Sequence, residues 1–111
     1  MWDFILDCVR ALRNWVVDMI VAVVDWFEHV IGWFKKLKLK KDRHIPFIVD
    51  AKRLSSQLQN APRIPDSGVF EAVLDEPEGE ITAHNTIQAN RLDRKTRGAL
   101  DQSEDGLVVL D

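Results

Sequence analysis

His29 follows Asp25 by four residues, so on a helix the imidazole and the carboxylate would share one face, as half of a metal site does. Two ligands are too few to hold an ion, and the same pair is common on exposed helices, so no metal is expected. Asp75, Glu76, Glu78 and Glu80 crowd one turn, but they lack the alternating ligand positions and central glycine of a calcium loop. A solvated acidic turn accounts for them. Ser55 and Ser56 have neither a histidine nor an acid at motif spacing, and no Gly-x-Ser-x-Gly elbow is present. Gly98 and Gly106 stand alone, without a phosphate-cradling loop around them. His84 reads as a surface histidine on a half-exposed strand. Cys8, the single cysteine, excludes an intrachain disulfide and falls among apolar neighbours, where it packs as a small hydrophobe. The chain therefore reads as non-enzymatic, with no catalytic residue, no cofactor and no small-molecule substrate.

One stretch does carry a definite chemistry. Lys35, Lys36, Lys38, Lys40 and Lys41 with Arg43 against Asp42 give residues 35–43 a net charge of +5. Residues 1–34 sum to −3 and residues 45–111 to −5. A basic junction between acidic blocks suits anionic lipid, at about 1 kcal/mol per basic residue near a charged surface. Phosphate neutralisation by nucleic acid is disfavoured, because the flanks are acidic and no strand carries an aromatic pair for base stacking. A lysine run can also be no more than the solvated end of a helix, where positive charge suits the dipole.

The element that would position this junction is residues 1–36, which contain no proline and only Gly32. At about 100° per residue, Asp3, Asp7, Asn14, Asp18, Asp25 and His29 gather in a polar stripe. Phe4, Val9, Leu12, Trp15, Val16, Ile20, Val23, Trp26, Phe27, Val30, Trp33 and Phe34 cover a much broader apolar face. The spacing predicts one long amphipathic, hydrophobic helix. All four tryptophans lie in it.

Such a helix is too interrupted by acids for a comfortable lone span, since each mid-bilayer Asp costs roughly 2.5–3.5 kcal/mol. Lying in the membrane interface, or associating so that the polar stripes face one another, removes that cost. The start of the chain lacks the positive charge and small-residue cleavage site of a secretory signal. The expectation is a membrane-associated scaffold or anchor that forms a homo-oligomer or docks into a larger protein complex. Its C-terminal domain would be cytoplasmic by the positive-inside tendency. The alternative is a soluble accessory or structural subunit of a cytoplasmic assembly or filament, with the helix buried against protein partners.

Residues 44–111 read as a small α/β domain. "HIPFIVD" is a strand, with Pro46 suggesting a sheet edge. "AKRLSSQLQN" is a short helix, and "VFEAVLD" and "EITAHNTI" flank a Pro/Gly turn as a hairpin. "NRLDRKTRGALDQ" is a second helix with Asn90 able to cap it, and "LVVL" is a last strand. The fold class is α+β: a long N-terminal helix followed by a β-α-β-β-α-β unit, an order compatible with a ferredoxin-like sandwich.

Overall fold

Six of the nine residues from Val16 to Val24 are β-branched, and the last six of this run form a strand. The computed structural model describes residues 2–12, 16–58, 65, 67–76, 79–103 and 106–110, apart from the Trp2 side chain. Within it the expected long helix is replaced by four elements. Helix α1 is Trp2–Arg10 and strand β1 is Met19–Val24. A π-helical turn, Trp26–Ile31, runs into α2, Gly32–Lys35. The apolar run satisfied a helical period and a buried strand alike, and β-branching together with a partner strand decided for the strand. Asp25 then starts the π-turn, its carboxylate accepting from the Glu28 N–H at 2.8 Å.

The later elements follow the expected order: β2 His44–Asp50, α3 Ala51–Gln57, β3 Gly68–Asp75, β4 Glu80–Leu92, α4 Arg94–Asp101 and β5 Leu107–Val109. The result is a mixed α+β fold with one five-stranded sheet, ordered β1-β4-β3-β2-β5. β1 runs parallel to β4, and the other pairs are antiparallel. β2 is an inner strand rather than an edge. Because α3 joins β2 to an adjacent antiparallel β3, the pairing is not that of a split β-α-β sandwich. Asp93, not Asn90, caps α4, accepting from the Thr96 N–H. Asn90 lies in β4.

Alternation along the strands feeds two cores, one on each face of the sheet. On the first face, Ile5, Leu6 and Val9 of α1 and Leu54 of α3 pack on Phe47, Val49, Phe70, Ala72 and Leu74. On the second, Val30, Phe34 and Leu100 pack on Ile48, Val69, Val73, Ile87 and Ala89. A nine-residue helix such as α1 is marginal alone. Three buried aliphatic side chains at about 1.5–3 kcal/mol each hold it in place. Described residues from both 2–35 and 44–110 thus contribute to the same sheet and to the same two cores.

Two local features set the register of the hairpin. Val73 pairs with Ala83 but Leu74 pairs with Ile81, so Thr82 is the extra residue of a bulge. Gly68 begins β3 at φ 132°, and a β-carbon there would lie 1.9 Å from the Ile87 carbonyl oxygen. Only glycine permits that approach. Among the described residues, no helix is long and apolar enough to cross a membrane.

Candidate functional site

The basic run is folded into a pinned loop. Lys36 N–H donates to the Trp33 carbonyl and Leu37 N–H to that of Phe34, closing α2. Beyond it, Leu37 and Leu39 turn toward the second core while Lys36, Lys38 and Lys40 are exposed. The Arg43 and His44 N–H groups both donate to the Lys40 carbonyl, at 3.0 and 2.7 Å. The Lys40 N–H donates in turn to His44 Nδ1 at 2.9 Å. This acceptor role leaves the neutral imidazole's proton on Nε2.

Arg43 fastens the end of the loop. Its Nε lies 3.0 Å and its second guanidinium nitrogen 3.0 Å from Asp75 Oδ2. The Asp75 side chain is only 5% exposed. The sequence places Asp75 in a solvated acidic turn. Instead it is the buried half of an ion pair, because β3 carries it under the loop. Of the other acids expected there, Glu76 and Glu80 are exposed, and Glu78 lies outside the described residues.

Between this loop, α2 and the β2–β5 edge lies an open cleft of about 720 Å³. Ile31, Phe34, Leu39, Pro46, Val109 and Leu110 supply apolar lining. Lys35, Lys40, Lys41 and His44 supply cationic or imidazole nitrogen. Of the five lysines singled out in the sequence, three therefore meet at one cleft. Lys36 and Lys38 are exposed nearby in sequence but do not line it.

The residues expected to form one apolar face and one polar stripe are dispersed. Val9, Val30 and Phe34 are buried, Leu12 packs against the first core, and Trp26 and Trp33 pack against the second. Val23 is half-buried. Phe4, Val16, Ile20 and Phe27 are exposed, Ile20 at 74% and Phe27 at 66%. Trp15 and Asn14 lie outside the described residues. Asp3 and Asp7 are exposed on α1, and Asp7 meets Arg10. Asp18 secures β1 to β4, its Oδ2 accepting from the Thr86 N–H at 2.7 Å and its own N–H donating to the Thr86 carbonyl.

Asp25 and His29 serve the π-turn. His29 Nδ1 accepts from the Asp25 N–H at 2.8 Å, so both side chains are engaged in capping. Among the described residues, no group of three or more His, Cys, Asp or Glu could hold a metal ion. Cys8 is half-buried, and its thiol donates to the Gly79 carbonyl. Burial, with the Asp7 charge second, pushes that thiol's pKa up. His84 lies half-buried beside Phe70, with ring centroids 6.0 Å apart.

Glu71 was not singled out from the sequence. It is fully buried in β3, and its Oε1 accepts from Asn85 Nδ2 while Oε2 has no partner. Burial pushes its pKa up to about 8, against a smaller lowering by the Asn85 bond. The only sequence signal was its position between Val69 and Val73 on an otherwise apolar strand face.

Comparison with protein-family models, with characterised proteins and with solved structures gives no match for this chain.

Proposed function

We propose that the chain is a non-catalytic scaffold module that docks peripherally on anionic membrane surfaces through its lysine loop. The observation that carries this reading is the meeting of Lys35, Lys40 and Lys41 with exposed and half-buried apolar side chains at one cleft. Charge provides attraction and apolar contact provides depth, the two contributions a surface-bound protein combines. The loop is held by His44 at its turn and by Arg43–Asp75 at its end, so little ordering of the backbone is required on binding. Docking of this kind places the protein on the cytoplasmic leaflet, where anionic lipid concentrates.

Co-sedimentation with vesicles tests it. Binding to phosphatidylglycerol-containing vesicles should exceed binding to pure phosphatidylcholine and weaken with salt. Changing all five lysines to Gln should remove about 5 kcal/mol of attraction, enough to abolish sedimentation. Equal binding to both vesicle types, or an indifferent quintuple variant, would refute the proposal.

A second reading, protein assembly, is favoured by a separate feature. β1 is an edge strand with neither proline nor charge in Met19–Val24, and Val16, Met19 and Ile20 beside or within it are exposed. Unprotected apolar edges pair with further strands. A second copy or a subunit of a larger complex would bind there, leaving the lysine cleft free.

A further inference from the structure

We infer that the cleft between α2, the lysine loop and the β2–β5 edge takes the hydrocarbon chain of a single anionic amphiphile, with Lys35, Lys40 and Lys41 holding its carboxylate or phosphate. The inference rests on the anionic-lipid reading and adds an occupant to it. A flat electrostatic surface needs no cavity, yet the volume here, about 720 Å³, falls within the roughly 300–1,000 Å³ of small-molecule sites.

The lining selects among occupants. Its polar side chains are three lysines and a histidine, and among the described lining residues there is no carboxylate, amide or hydroxyl side chain. His44 Nδ1 is already taken by the Lys40 N–H. A peptide laid in the cleft would bring backbone N–H donors and find no side-chain acceptor ready for them. A hydrocarbon chain brings no donors, and its charged end requires only cations. Apolar walls with ammonium groups on one side match a molecule that is apolar along its length and anionic at one end. The ligand chemistry is shared by a free fatty acid and by a membrane lipid that inserts one chain.

Titration calorimetry below the critical micelle concentration, with saturated carboxylates from eight to sixteen carbons, tests the inference on the intact chain. One equivalent should bind, tightening about fourfold per added methylene until the cleft is full and then levelling off. Dodecanol should bind more weakly than dodecanoate, and Lys40→Gln should weaken dodecanoate about fivefold. Val109 is 44% exposed at the cleft, so Val109→Trp can narrow it with little cost to the core. That variant should move the plateau to shorter chains.

If carboxylates fail to bind while anionic vesicles still do, the chain site is wrong and surface docking stands. If neither binds, both fall. Affinity that rises without a plateau, or that ignores Val109→Trp, overturns the site. So does tighter binding of an apolar peptide with a free C-terminal carboxylate, which would make the cleft a peptide groove. To separate the two sources, dodecanoate is added to vesicle-bound protein. Release into solution identifies membrane lipid as the competing occupant, and retention on the vesicles with dodecanoate bound identifies the free acid.

Discussion

Asn85 Nδ2 lies 2.9 Å from Glu71 Oε1, the two side chains directly opposite each other on β4 and β3 in the interior of the sheet. The bond satisfies one oxygen and favours the charged form, but burial outweighs it, so the proton stays on to about pH 8 instead of the ordinary 4.5. The folded chain then binds a proton that the unfolded chain releases across this interval. Its stabilising effect is fully present below pH 4.5 and is lost as pH rises through about 8. The loss amounts to on the order of 4 kcal/mol. Urea melts at pH 5, 6.5 and 8 should show falling stability, and Glu71→Gln should flatten that slope and be the more stable protein at pH 8. A wild-type profile that is flat from pH 5 to 8 would contradict the assignment.

Arg43→Ala should cost about 1–3 kcal/mol, because it strips a buried carboxylate of its charged partner. Arg43→Lys should fall between, since one ammonium cannot reproduce the guanidinium's paired contacts with Asp75. Adding Asp75→Asn to the alanine variant should recover most of the loss. Urea midpoints of the four proteins decide this. Because the same pair anchors the lysine loop, Arg43→Ala should also weaken vesicle binding while leaving all five lysines in place.

Asp93 joins two elements with one carboxylate. Oδ2 accepts from the Trp26 N–H and Oδ1 from the Thr96 N–H, each at 2.8 Å. Asp93→Ala should therefore cost about 1–2 kcal/mol through α4 capping, and more through the orphaned Trp26 donor. Burial works to raise the Asp93 pKa. The bonds from Thr96 and Trp26, with His29 nearby, outweigh it and bring the value below the ordinary 3.8. Its contribution is present above pH 3.8 and declines as pH falls through the lowered value. Together with the opposite trend of Glu71, the two groups favour the folded state most between their ordinary values, 3.8 and 4.5. Thermal melts from pH 3 to 8 would locate the optimum, and Asp93→Asn should soften its acid side.

Ile20→Lys addresses assembly without touching a core. The side chain is 74% exposed on the edge strand, so stability should change by less than about 0.5 kcal/mol. Any self-association through β1 should be lost. Light scattering of the wild-type and variant at matched concentrations gives the answer. Unchanged mass for an oligomeric protein would remove β1 from its interface.

The elements after residue 44 were legible because turn residues bounded them and each segment was short enough for one period to dominate. Asp50 capping α3 and the Pro/Gly turn between β3 and β4 are local signals, readable without knowing the fold. The first 36 residues were not legible in the same way. Branching at the β-carbon was present in Ile20, Val21, Val23 and Val24, but the strand depends on Ile87–Leu92 as its partner, which no local pattern announces. The burial of Glu71 has the same cause. Its strand face becomes interior only because the π-turn and α2 cover that side of the sheet, and a reading that extends residues 1–36 as one rod leaves nothing to cover it. The lysines were visible as a charge run. Their cleft was not, since its opposite wall comes from Val109 and Leu110.

The parallel pairing of β1 with β4 also fixes an order of events during synthesis. Met19 must wait for Ile87, and Val24 for Leu92. At a ribosomal rate of about 5–20 residues per second, the delay is roughly 3–14 s. For that time the most apolar strand of the protein is outside the exit tunnel without its neighbour. β2, β3 and β4 can meet as a local meander, whereas β1 has to close a loop of more than sixty residues to reach the sheet. The first strand made thus cannot be seated until the fourth has been made. Chaperone capture and co-translational aggregation should concentrate on residues 16–24, and slowing translation before residue 87 should worsen both.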